Sequence, residues 1–199
     1  MNKAFWDSRN KDLGENIKSL KELSAPEEYE QKERGKQPVL DGCPNCEKIV
    51  GVDFDAVRRK WHPKQRDTDT NVPCSVDALV LTGEGLFLIE FKSGKVDKAN
   101  LYRKIYDSLI MLFEHDNQNI KTMRQSATCI LVATQLQSYM NTSTLRSICY
   151  GRKELWLSPK YKDVFDRWDL KNLEGFVVSK TYCMPPRLFD RFVKIKRWS

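Results

Sequence analysis

The 199-residue chain, 40% hydrophobic and 11% aromatic, is long enough to bury one sizeable core, and nothing in it demands two full domains. No run approaches the ~18 apolar residues of a membrane span, and the Met1-Asn-Lys-Ala-Phe-Trp-Asp7 start lacks the apolar centre of a signal peptide. A cytoplasmic protein is expected, its six cysteines serving as thiols or metal ligands rather than a disulfide framework. The net charge of +7 gathers late, with twelve bases against six acids in residues 152–199; such a surface, with Trp156, Trp168 and Trp198 nearby, suits a polyanion, and a solvated basic helix is the plain alternative.

In chain order, the spacing of Leu13, Ile17 and Leu20 predicts a helix over residues 10–23, with Glu15 and Glu22 solvated opposite the apolar stripe. Ser24-Ala-Pro-Glu27 reads as a fresh start, a Ser cap with Pro and Glu in the first turn, and Gly35 as its stop. Residues 1–40 are thus read as an N-terminal helical extension and 41–199 as the main domain. Residues 41–73 form an insertion within that domain. There Cys43-Pro-Asn-Cys46 sets two thiols across a tight turn. With His62 and Cys74 they would make a structural zinc site; the second pair lacks a standard spacing, so unligated thiols are the other reading. Arg58, Arg59, Lys60, Lys64 and Arg66 follow without an intervening acid and with Trp61 among them. They would contact phosphates, or form a loop that their charges merely solvate.

Cys74–Leu81 and Gly85–Gly94 both read as strands, short and rich in Val, Ile, Leu and Phe, with Thr82-Gly-Glu-Gly85 as the turn of a hairpin. Alternation sets Glu90 and Lys92 on one face and Phe87, Ile89 and Phe91 on the other. Asp77 interrupts an otherwise buried strand, a costly place for a charge unless it is paired or holds a metal. The next segment, 96–114, is a long helix whose Leu101, Ile105, Leu109 and Leu112 cover a sheet face. Ala127–Thr134 reads as a buried strand, with the near-continuous apolar character of a central or parallel one. A helix about residues 160–168, a strand at 175–179 and a basic helix at 186–198 complete the chain. No Gly-rich phosphate loop follows a strand, and two histidines, His62 and His115, are few for a His-based hydrolase.

Asp77, twelve intervening residues and Glu90-Phe91-Lys92 resemble the D-x(n)-(D/E)-x-K signature of the PD-(D/E)xK nuclease superfamily. The resemblance spans roughly residues 74–135, and it departs from the family at Val76, where relatives carry proline. It implies an α/β fold with a restriction-endonuclease-like core, α-β-β-β-α-β, and a central mixed sheet flanked by helices. It further implies that Asp77, Glu90 and the Phe91 carbonyl hold Mg²⁺ or Mn²⁺, with Lys92 orienting the attacking water. Such families project a polar residue from the following helix; Lys98, Tyr102 and Lys104 are candidates, Lys104 first. Relatives also use an acid from a leading helix, for which Glu28 and Glu33 remain. The expected activity is metal-dependent hydrolysis of phosphodiesters in DNA, with RNA next, by a chain that dimerises or works with a protein partner. The rival is a non-catalytic module that binds nucleic acid or protein through the basic C-terminal surface. A third reading makes residues 41–74 a zinc-stabilised interaction element and the sheet its scaffold.

Overall fold

The computed structural model describes residues 10–25, 37–63, 72–116, 119–138 and 168–198. In chain order these form α1 (Lys11–Glu15), β1 (Ile17–Ser19), α2 (Leu20–Leu23), a 3-10 turn (Cys46–Lys48), β2 (Val50–Asp53), α3 (Phe54–Trp61), β3 (Ala78–Thr82), β4 (Gly85–Lys92) and α4 (Lys98–His115). They continue with α5 (Ile120–Ser126), β5 (Ala127–Ala133), α6 (Gln135–Ser138), a second 3-10 turn (Leu170–Leu173), β6 (Lys180–Met184) and α7 (Pro186–Ile195). The six strands make one open mixed sheet in sequence order, antiparallel from β1 to β4 and parallel from β4 to β6. The protein is therefore α/β. Among the described residues no helix is long and apolar enough to cross a membrane.

The central hairpin forms as the sequence predicts. Thr82 pairs with Gly85 across a two-residue turn, and the Glu84 N–H donates to Thr82 Oγ1 at 3.0 Å. Gly85 has φ +128°, and a Cβ there would lie 2.1 Å from the Ser126 carbonyl oxygen, so the tip closes onto the end of α5 only with glycine. Beyond the turn, alternation divides β4 between two cores. Leu86 and Leu88 join Leu101, Ile105, Leu109 and Leu112 of α4 and Phe54 and Val57 of α3. Phe87, Ile89 and Phe91 join Leu188, Phe189, Phe192 and Val193 of α7. β5 is buried along its whole length between β4 and β6, as its unbroken apolar run requires.

Elsewhere the structure corrects local expectations. The helix expected over residues 10–23 is broken: Asn10 caps α1, Ile17–Ser19 pairs with β2, and Ser19 opens α2 in a capping box with Glu22. The supposed stripe is split, Leu13 and Ile17 packing in one core and Leu20 in the other. Glu15 and Glu22 are exposed, but Glu15 accepts from Lys60 at 2.8 Å and Glu22 does capping work. Ser24 ends α2, its N–H donating to the Leu20 carbonyl, and the helix expected to open there and stop at Gly35 falls on residues 26–36, outside the described residues. The strand expected at 175–179 is a turn: Gly175 has φ +72°, Val177 and Val178 donate to the Leu173 carbonyl, and the strand begins at Lys180. Trp168 and Trp198 are core residues, 9% and 7% exposed, with Trp198 packed on Phe87 at 4.4 Å, so neither offers a surface to a base. Glu28, Glu33, Lys64, Arg66, Trp156 and most of the helix expected at 160–168 lie outside the described residues.

Candidate metal centre

Register builds the site. Ala78 is paired with Ile89, so Asp77, one residue before β3, falls beside the end of β4 where Glu90 and Lys92 emerge. Asp77 Oδ2 accepts the Phe91 N–H at 2.6 Å, and its carbonyl accepts the Phe54 N–H at 3.2 Å. The second bond draws the first turn of α3 to the cup, which brings Asp55 there. From the other side α4 holds the approaching chain: Asp107 accepts from the Cys74 N–H at 2.8 Å, Ser108 from the Val76 N–H at 2.9 Å, and Arg103 donates to the Val72 carbonyl at 3.2 Å.

Lys104 reaches from α4 between the two acids, donating to Glu90 Oε1 at 2.7 Å and Asp77 Oδ1 at 3.1 Å. Lys92 is 2.8 Å from the same Glu90 oxygen. Glu90 is 2% exposed, and its second oxygen, Oε2, is buried with no hydrogen-bond partner among the described residues. Burial first, then the charge of Glu90, pushes the Asp77 carboxyl above its ordinary range, against the pull of Lys104 and the Phe91 N–H. Burial alone would lower Lys104, but the Asp77 and Glu90 charges outweigh it and raise it. The acids and the lysine therefore hold one another in place.

The donor set suits a hard divalent cation. Carboxylate oxygens of Asp77 and Glu90 converge, and the unpartnered Glu90 Oε2 is a free acceptor in a place where an unmet one is costly. Asp55, absent from the sequence-based candidates, adds its charge to the environment of both Asp77 and Lys104. It accepts from the Ser75 hydroxyl and lies 3.9 Å from Arg58 Nε. Its signal in the sequence is weak: an acid in the first turn of a helix, just after the Asp53 cap.

The remaining candidates disperse. Lys98 pairs with Asp169, and the Tyr102 hydroxyl donates to the Asp169 carbonyl, away from the cup. Arg58, Arg59 and Lys60 lie on α3 rather than in a loop; Lys60 is bound to Glu15, and Arg59 is exposed. Cys43 and Cys46 are buried at 1% and 0% exposure under α7, where Asp190 accepts from the Asn45 and Cys46 N–H groups. His62 and Cys74 do not join them: His62 stands beside His115 and Glu114, and Cys74 is held at α4. No protein-family model, curated protein or solved structure matches the chain.

Proposed function

We propose that the chain is a metal-dependent phosphodiesterase of the PD-(D/E)xK kind, hydrolysing DNA, with RNA as the second substrate class. The observation that carries this reading is the meeting of Lys92 and Lys104 on one oxygen of Glu90, with Lys104 also bound to Asp77, while the second Glu90 oxygen is buried without a hydrogen-bond partner among the described residues. An antiparallel β2-β3-β4 meander followed by α4 and a parallel β5 agrees with a restriction-endonuclease-like core.

Asp77 and Glu90, with the Phe91 carbonyl, would hold Mg²⁺ or Mn²⁺. A bound ion supplies Lewis acidity at the scissile phosphate and lowers the pKa of water. Lys92, 24% exposed, is the ammonium within reach of a substrate; it orients the attacking water and offsets charge growing on the phosphoryl oxygens. Lys104 keeps the two acids apart in charge and together in space. Arg58 and Arg59 lie on the helix that carries Asp55 and would be the described bases to meet flanking phosphates.

The test is cleavage of single- and double-stranded DNA and RNA with Mg²⁺ or Mn²⁺, comparing the native protein with Glu90→Ala and the closer isostere Glu90→Gln. Losing a ligand removes several kcal/mol of transition-state stabilisation, so both variants should cut about 100-fold or more slowly. Absence of cutting and of calorimetric metal binding in the native protein would sink the reading. Retained nucleic-acid binding in that case would support the binding-module alternative through the exposed Arg187, Lys194 and Arg197.

A further inference from the structure

The chain has two histidines, distant in sequence and adjacent in space. His62 caps the C-terminus of α3, and His115 is the last residue of α4. Their rings meet edge to face with centroids 5.2 Å apart. Glu114 stands between them, its Oε2 3.8 Å from His62 Nε2 and 3.9 Å from His115 Nε2. Among the described residues this is the one group of three or more His, Cys, Asp or Glu whose ligating atoms all lie within 4.8 Å of one another.

Hydrogen bonding does not account for the arrangement. N–H···O bonds in proteins fall at about 2.7–3.2 Å, well short of both spacings, and His62 Nε2 is buried without a partner among the described residues. Two ligands about 2.1 Å from one tetrahedral ion stand about 3.4 Å apart, so a small inward movement of the Glu114 carboxylate would serve both rings. Both histidines also sit at helix C-termini, where the partial negative charge of the unpaired carbonyls favours a cation. The His115 ring is already fixed: Trp61 stacks on it at 4.5 Å, with the indole N–H donating to Asp12 Oδ2 at 2.9 Å, and the Asn10 side chain donates to the His115 carbonyl at 2.9 Å.

We propose that His62, Glu114 and His115 form a second metal site, specific for zinc or a similar borderline divalent ion. Two imidazole nitrogens and one carboxylate oxygen are the donors such ions prefer, whereas Mg²⁺ favours oxygen alone. The ion joins the ends of α3 and α4, the two helices that deliver Asp55 and Lys104 to the carboxylate cup. Its role is that of a brace. This inference stands apart from the proposed activity, since it uses none of the cup's residues.

Because the chain has two histidines, the imidazole NMR signals of the native protein test the site directly. With excess Mg²⁺ present, one equivalent of ZnCl₂ should shift both rings together, and Co²⁺ or Cu²⁺ should quench Trp61 through the stacked ring. By calorimetry His62→Gln, Glu114→Gln and His115→Gln should each weaken zinc by more than the roughly 10- to 100-fold typical of outer-shell changes. Glu90→Gln and Cys46→Ser should leave that affinity unchanged. Rings that do not move at one equivalent would overturn the proposal. So would zinc binding that survives His115→Gln, or that is lost in Glu90→Gln or Cys46→Ser.

Discussion

Where α7 covers the sheet, the contact is a set of rings: Phe91 against Phe189 at 6.2 Å, Phe87 against Phe192 at 6.5 Å, and Trp198 closing on Phe87. Where α4 covers the opposite face, the apolar stripe is interrupted at Lys104 by charges that pair across the interface. Both interfaces are built on the same strand by the same alternation. Burial of aromatic and aliphatic side chains stabilises by about 1.5–3 kcal/mol each, whereas buried ions barely recover their desolvation. The ring face holds the domain together, and the charged face is kept for what the charges do. The basic residues left outside by α7 lie across the sheet from the cup, so a polyanion gripped there would not present its phosphate to Glu90.

The largest effect that sharpens this contrast is expected from Phe189→Ala. The side chain is fully buried, and its loss should lower stability by about 3–5 kcal/mol in urea unfolding while cleavage per folded molecule is kept. Equal loss of activity would mean that the two faces are not separable. Next, Lys104→Met should cost about 1–3 kcal/mol by leaving two acids without their shared donor, yet tighten Mn²⁺ binding in calorimetry by clearing an ammonium from between them. Weaker Mn²⁺ binding would make Lys104 part of the ion's support instead.

The smallest effect concerns the thiols under α7. Burial, then the charge of Asp190, pushes Cys43 up to about 12, and burial raises Cys46 further. Thiolate is the reactive form, so at neutral pH both should resist labelling until the protein unfolds. The sign of the linked stability follows: the folded thiols hold their protons longer than the unfolded ones, so the contribution is complete below the ordinary thiol value and fades as pH rises toward the folded one. Fast native labelling at both positions would show that this face opens.

The hairpin was readable in the sequence because turn chemistry and two-residue alternation agree over adjacent residues, whereas Lys104 stands out only through the family resemblance, alongside Lys98 and Tyr102, and it is the docking of α4 that sets it between the two acids. β1 was hidden: Leu13, Ile17 and Leu20 imitate a helical face, and what makes Ile17–Ser19 a strand is its partner Val50–Val52. β6 was hidden too, since Lys180-Thr-Tyr-Cys-Met184 on a sheet edge is less apolar than Gly175-Phe-Val-Val178, which turns. Asp55 reaches the cup through the pairing of Asp53 with Ala78 and the bond from Phe54 to Asp77, a relation between segments that neither segment states alone.

The register that sets Asp77 beside Glu90 also orders events during folding. Both acids belong to one hairpin, so contacts of short sequence separation bring them together at little loop-closure cost. The lysine that reconciles them arrives only when α4 docks. Until then the hairpin's open end holds two acids with only Lys92, on Glu90, to offset them, and its closing is opposed there; afterwards, every partial opening of α4 leaves Asp77 without its lysine again. Helix docking and charge compensation are thus a single cooperative step, and hydrogen exchange should find the amides of α4 and of the Asp77 end of the hairpin opening together.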